Sequence, residues 1–297
     1  MNMEPVVYFN GELMSADRAA VSVYNGGWLH GAGLFETMRA ENRRVFRLDR
    51  HLKRLRASAK CLLTPIADGA LPDEDSVNRL LAGNEMSSAR IRLTVTAGDV
   101  RFERGALNDA EVGAGALTVC MTAAPLAERP SGVSRAGLAV LITRYRQSPD
   151  DPLAGHKSIS YLPRLVALNE ARQAGCDEAL WFTTANFLAE GSISNVFIVK
   201  RGTLITPPLD TPVLPGIARA AILGVCSVGG LTSCERPIAI DELLEADEVF
   251  LTNAIREVTP VSRIERRVIG DGRPGPVTLE LQEHYRRLVR EECGIDG

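Results

Sequence analysis

Two periods of apolar residues run along this chain, and the places where one gives way to the other predict its elements. ARIRLTVT at Ala89 to Thr96 alternates strictly, putting Ile91, Leu93 and Val95 on one face of a strand. Leu48 to Leu63 repeats at helical spacing, with Leu48, Leu52, Leu55, Ala59 and Leu62 on one face, Asp49 as cap and basic residues on the other face. Val6 to Phe9 and Glu12 to Met14, joined at Asn10 and Gly11, read as a hairpin. Ser76 to Leu81 reads as a short helix and Leu117 to Met121 as a strand. APLAERPSG then has the proline and glycine of a linker, which predicts a domain over 1–124, a linker over 125–132 and a second domain over 133–297.

In the second half, strands are predicted over Leu138 to Thr143, Ala179 to Thr183, Val196 to Val199 and Glu248 to Thr252, with a hairpin through Arg201 and Gly202 to Leu204 and Ile205. Helices follow LPG at Leu214 and cover Ile240 to Ala246 and Thr278 to Glu292. The stretch from Pro152 to Ile198 stands apart. Leu162, Leu165, Val166 and Leu168 form a stripe predicted to pack, with Ser158 and Ser160 as caps, Pro163 in the first turn and Gly175 at the stop. Lys157 precedes that helix, and Glu190 lies in a small-residue turn between two strands. A lysine ahead of a helix and a glutamate in a turn are ordinarily solvated charges. A lysine held by a packed helix can instead hold an aldehyde, and an acid between two strands is placed for a site.

Composition narrows the function classes. The chain has 297 residues, 45% of them apolar, and a net charge of −3, so it has ample core and no basic footprint for nucleic acid. A small molecule is the expected partner. No apolar window is long enough to span a membrane and the N-terminus has no signal-peptide pattern, so a cytoplasmic protein is expected. Six scattered cysteines and four histidines make no metal motif. Gly26, Gly27, Gly31 and Gly33 match neither the dinucleotide fingerprint nor the phosphate loop.

Four segments in order, HKSISYLPRL, LAEGSISNVFIV, LPGIAR and LTNAIREVTPV, resemble the class IV, or fold type IV, family of pyridoxal-phosphate enzymes. FNGE, GLFETMR and HLKRLRASA extend the resemblance over most of the chain. The family includes branched-chain and D-amino-acid aminotransferases and 4-amino-4-deoxychorismate lyases. The resemblance implies an α+β fold with a small N-terminal α/β domain and a larger C-terminal domain containing a pseudo-barrel. It also implies pyridoxal 5'-phosphate as cofactor, a small amino substrate and a homodimer.

Residue by residue, the resemblance implies that Lys157 holds the cofactor and moves a proton, and that Glu190 pairs with the pyridine nitrogen. Arg54 would bind the phosphate, with Ile217 and Ala218 offering backbone N–H groups. Tyr161 would face the phenolic oxygen, one position nearer the lysine than in the branched-chain enzymes. Ser194, Asn195, Asn253 and Ala254 complete the cofactor set. Two residues depart from the family: Ala218 replaces the threonine of LPGITR, and Ala254 replaces a hydroxyl residue before EVTP. Thr252 and Asn253 are the candidates to compensate. Gly33, Thr37 and Arg39 are candidates for lining the substrate pocket, the alternative being a plain strand. Arg101 or Arg104 is a candidate for reaching a substrate carboxylate in the partner's site, the alternative being a solvated loop. GLFETMR, SYLP and LTNAIREVTPV look more like the lyase branch, which releases pyruvate and 4-aminobenzoate. The alternative is transamination of a branched-chain or D-amino acid with 2-oxoglutarate as acceptor.

Overall fold

The computed structural model describes residues 4–63, 65–99, 117–126 and 136–295, so Arg101, Arg104 and most of the predicted linker lie outside the described residues. The chain forms two compact units. The first takes residues 1–126, 156–160 and 290–297, and the second 127–155 and 161–289. The segment carrying Lys157 therefore belongs with the first unit, not with the sequence that surrounds it.

In the first unit the hairpin forms as β1 (Val6–Phe9) and β2 (Glu12–Ser15). Helix α1 (Gly26–His30) then leads into β3 (Gly33–Glu41) and the short β4 (Arg44–Val45). Helices α2 (Leu48–Leu62) and α3 (Glu74–Gly83) precede β5 (Ala89–Thr96) and β6 (Thr118–Ala124). The strands make one antiparallel sheet in the order β2-β1-β6-β5-β3-β4. Alternation in β5 is realised as read: Ile91, Leu93 and Val95 are fully buried, each contributing about 2 kcal/mol. Asp49 is not the cap of α2. It sits in the first turn, and the cap position is Arg47 with a left-handed backbone and no side-chain capping bond.

The second unit contains β7 (Leu138–Gln147), α4 (Leu162–Gln173), β8 (Glu178–Thr183), β9 (Leu188–Gly191), β10 (Asn195–Lys200) and β11 (Thr203–Thr206). It continues with α5 (Ile217–Gly229), β12 (Ser233–Glu235), α6 (Ile240–Leu244), β13 (Glu248–Asn253), β14 (Glu257–Ile264), β15 (Arg267–Val268) and α7 (Pro276–Glu292), whose residues from 290 count with the first unit. Its sheet runs β12-β11-β10-β13-β14-β7-β8-β9, with β15 on β14. Strands β9 and β10 are five places apart in that order, yet three residues join them, a reach of about 10 Å. The sheet must therefore curl until its last strand returns beside β10, and the Gly191 N–H donates to the Ser194 carbonyl at 2.7 Å across the join. That curl is the pseudo-barrel.

The helix after Lys157 differs from its reading. Leu162, Leu165 and Val166 are exposed, at 69%, 51% and 40%, and α4 instead buries Ala167, Leu168 and Ala171. Small residues let the helix lie close to the sheet, so the large apolar positions face outward. Ser158 and Ser160 do not cap it either; Tyr161 occupies the cap position without a side-chain capping bond. Ser158 Oγ accepts from the Ser160 N–H at 3.1 Å, and Ser160 Oγ donates to the Gly31 carbonyl at 3.2 Å.

Candidate active site

In the first unit, residues 157–159 lie along the start of β3. The Phe35 N–H donates to the Lys157 carbonyl at 2.9 Å, and the Ile159 N–H to the Gly33 carbonyl at 3.0 Å. Gly33 permits this close approach, since a Cβ there would stand 2.7 Å from Ile159 Cδ1. A packing role thus accounts for Gly33. The half-buried Lys157 places Nζ 4.5 Å from the centre of the Phe35 ring, and Arg92 from β5 puts its guanidinium carbon 3.9 Å from the same centre. Thr37 is half-buried one turn of the pleat further along. Arg39 is engaged with Glu41 on its own strand, its Nε donating at 2.9 Å.

The opposite face of β3 carries Glu36, which gathers two helix residues. Arg54 Nε donates to Glu36 Oε1 at 2.8 Å and a second guanidinium nitrogen reaches Oε2, a fork on a carboxylate. His51 Nδ1 lies 2.7 Å from the same Oε2. Burial alone would raise the Glu36 carboxyl, but the Arg54 charge and the bonds from His51 and Arg54 outweigh it and hold it at about 2. Burial lowers the His51 imidazole below its usual range, against the pull of Glu36.

In the second unit Glu190 lies within β9 itself, not in a turn, and is 6% exposed. Both of its oxygens have protein partners: Arg164 donates to Oε1 at 2.7 Å and the Leu214 N–H to Oε2 at 2.9 Å. The Leu214 carbonyl in turn accepts from Asn195 Nδ2 at 2.9 Å. One residue is thereby clamped by Glu190 and Asn195 immediately before the start of α5. Tyr161 donates its hydroxyl to the Ser192 carbonyl at 2.5 Å, which fixes the ring over the turn that follows Glu190.

Helix α5 begins at Ile217 behind Gly216, which gives no side-chain cap. Its first helical bond runs from the Ala220 N–H to the Gly216 carbonyl, so the N–H groups of Ile217, Ala218 and Arg219 precede the internal ladder. A Cβ at Gly216 would fall 1.9 Å from Asn195 Oδ1, so only glycine fits there. Nearby positions supply buried hydroxyls: Thr252, cross-strand from Asn195, and Ser194 each have an Oγ with no hydrogen-bond partner. Uncapped N–H groups, a bare glycine and orphaned hydroxyls suit an anion such as a phosphate. The Asn253 side chain is tied locally. Its Nδ2 donates to the Ile193 carbonyl at 3.2 Å and its Oδ1 accepts from the Ile255 and Arg256 N–H groups at 2.9 and 2.7 Å, closing the turn that contains Ala254.

Sequence reasoning missed three residues here. Arg164 on Glu190 and Arg92 on Phe35 carry no local signal, because each reaches its partner through tertiary packing. Glu178, at the start of β8, is buried with its Oε2 unbonded and Arg256 only as near as 3.9 Å. Burial pushes its carboxyl up to about 7, against Arg256 and the N–H groups of Ala179, Ser192 and Ile193. Its position beside the SIS turn was legible only from the fold.

The chain matches the family model for class IV amino-transferases over residues 33–264. A Methanocaldococcus jannaschii chain named for branched-chain-amino-acid aminotransferase is 34% identical over 97% of this chain and 98% of its own. The D-alanine aminotransferase of Bacillus licheniformis is 32% identical over 96% and 98%. Among solved structures, the branched-chain amino acid aminotransferase of Escherichia coli superposes with a TM-score of 0.86 at 28% identity, covering 98% of this chain and 96% of that one. A Legionella pneumophila chain named for 4-amino-4-deoxychorismate lyase, at 22% identity and a TM-score of 0.79 over 91% and 95%, shares the fold. Fold, motif order and full-length similarity agree: this chain belongs to the class IV aminotransferases and is a pyridoxal-phosphate-dependent enzyme.

Proposed function

We propose that the protein transfers an amino group from an amino acid to a 2-oxo acid. The observation that carries this reading is the Phe35 ring with Lys157 Nζ on it and Arg92 beside it. An aldehyde-holding lysine, an apolar ring and a carboxylate-seeking guanidinium are groups that suit a cofactor aldehyde and an amino-acid substrate. Full-length similarity to chains named for aminotransferases supports the same reading. The lyase reading rests on the likeness of GLFETMR, SYLP and LTNAIREVTPV to that branch, and its support among the comparisons is a fold match.

When bound, pyridoxal phosphate supplies the electron sink that weakens bonds at the substrate's α-carbon. Lys157 would hold the cofactor's aldehyde carbon through Nζ, and that Nζ, when free, would move the substrate's α-proton. Glu190 would accept from the ring nitrogen, and Tyr161 would serve the phenolic oxygen. In the second unit the N–H groups of Ile217 and Ala218 would take the phosphate, with Thr252 Oγ1 in place of the hydroxyls absent at Ala218 and Ala254; in the first unit Glu36 holds Arg54 as a fork, the form in which a guanidinium meets a phosphate. Asn195 acts through Leu214 and Ser194 through its orphaned hydroxyl. The working form is a homodimer, for which the exposed Trp28, Val23 and Tyr24 of the first unit and Leu162 and Leu165 of α4 supply apolar surface.

The test incubates the enzyme with amino acids plus 2-oxoglutarate and, separately, with 4-amino-4-deoxychorismate. A keto acid and glutamate are expected from the first incubation. Pyruvate and 4-aminobenzoate from the second, with nothing from the first, would replace this reading by the lyase. Borohydride should fix the cofactor on Lys157, seen by mass spectrometry, and not in Lys157→Ala. Light scattering on the same sample should give twice the chain mass, and a fully active monomer would remove the dimer.

A further inference from the structure

We propose that Arg164 is a positioning residue that sets how firmly Glu190 holds the proton on the cofactor's ring nitrogen. The inference rests on the reading of Glu190 given above and deepens it.

The geometry is that of a built contact, not of a surface arginine swung inward. One guanidinium nitrogen donates to Glu190 Oε1 at 2.7 Å and to Gln147 Oε1 at 3.0 Å, and the other to the Gly191 carbonyl at 3.2 Å. The guanidinium carbon lies 4.6 Å from the centre of the Trp181 ring, and Trp181 Nε1 is itself tied to Ser192 Oγ at 3.0 Å. Gln147 is anchored in turn on the Pro212 carbonyl. Side-chain exposures of 19% for Arg164 and 8% for Glu190 put the pair largely out of water, where screening is weak.

The consequence is a matter of charge. A lone glutamate beside a protonated ring nitrogen makes a neutral pair. With Arg164 already in contact, the Glu190 carboxylate is compensated, and a proton on the ring nitrogen adds net positive charge to the cluster. A carboxylate offers about four lone-pair sites and two are used here, so a further donor is accepted, but it is held less firmly. The other charged groups around Glu190 do not cancel this. Glu178 of β8 lies across Gly191 and faces Arg256, and Arg219 of α5 is bound to Glu235 and the Pro207 carbonyl. Gln147 of β7 and the Tyr161 hydroxyl, which donates to the Ser192 carbonyl, bring no net charge.

Holoenzyme is loaded with cofactor labelled with nitrogen-15 in the ring, and the nitrogen shift is followed against pH by NMR for wild type, Arg164→Gln, Arg164→Lys and Glu190→Gln. Arg164→Gln should keep its ring proton to a pH about one unit or more above wild type. Arg164→Lys, which retains the charge, should return the midpoint towards wild type, which a purely structural role would not do. If Arg164→Gln fails to load cofactor, Arg164→Met keeps the stem packed on Trp181 and carries the same expectation. Wild-type titration in Arg164→Gln or Arg164→Met, with an altered one in Glu190→Gln, overturns the role of Arg164 alone. Unaltered titration in Glu190→Gln overturns the reading of Glu190 and this inference with it. Glu178 titrates in a nearby range but is common to all four proteins, so it does not move the comparison.

Discussion

Glu36 in the first unit and Glu178 in the second are buried to the same degree, each with 1% of its side chain exposed, and each faces an arginine. One carboxyl is held at about 2 and the other is pushed up to about 7. Burial penalises the charge in both. The outcome is decided by donors: Glu36 has the Arg54 fork and His51, whereas Glu178 has Arg256 at 3.9 Å, too far for a hydrogen bond and 40% exposed, and an Oε2 without a partner. The first arrangement makes a permanent charge that aims an arginine. The second makes an acid that exchanges its proton near neutrality, one residue layer from the turn after Glu190.

The largest expected effect comes from removing the charge that organises the first arrangement. Glu36→Gln leaves Arg54 buried without its counter-charge and should cost about 3–5 kcal/mol at neutral pH, measured by urea unfolding. It should also alter the acid limb. The folded carboxyl binds its proton less readily than the unfolded one, so its contribution is complete above about 4.5 and lost as pH falls towards 2. The variant should lack that limb. An unchanged acid limb would mean that other carboxylates govern acid unfolding.

Glu178 should behave with the opposite sign. Its folded carboxyl binds a proton more readily than the unfolded one, so stability is greatest below about 4.5 and declines as pH rises through about 7, by roughly 3 kcal/mol in all. Glu178→Gln, a neutral mimic of the protonated acid, should flatten that decline. A variant whose unfolding free energy still falls across this range would show that Glu178 is ionised throughout it.

The two networks also show what a sequence can disclose. The β5 alternation and the α2 stripe were readable because each faces one continuous core, and Lys157, Glu190 and Arg54 were singled out because they sit in motif-bearing segments. Strand β14 was not read, since Pro260 within it cannot donate to the ladder and argues against a strand. The α4 stripe misled because apolar residues on a helix reveal a face to be covered, not what covers it. Arg164, Arg92 and Glu178 were invisible for a different reason: their chemistry arises from contacts 26, 57 and 78 residues away in the chain, with Glu190, Phe35 and Arg256.

The smallest expected effect isolates the weak half of the comparison. Arg256 is the cation nearest Glu178, but it is 40% exposed, so solvent screens it and its pull should be modest. Replacing it by Gln removes that pull while leaving the N–H groups of Ala179, Ser192 and Ile193 in place. The Glu178 midpoint should therefore move up by less than about one pH unit, and stability above that midpoint should fall by under about 1 kcal/mol, with no change where the acid is already protonated. Carboxyl carbon NMR of glutamate-labelled protein reads the midpoint directly, and unfolding at alkaline and acid pH reads the difference. A shift of several units would mean that Arg256 closes onto Glu178 in solution as Arg54 does onto Glu36, and the contrast between the two acids would then be one of distance alone. No shift at all would assign the whole offset of the burial penalty to the three backbone donors, making the turn after Glu190, and not the arginine, the element that keeps Glu178 able to ionise.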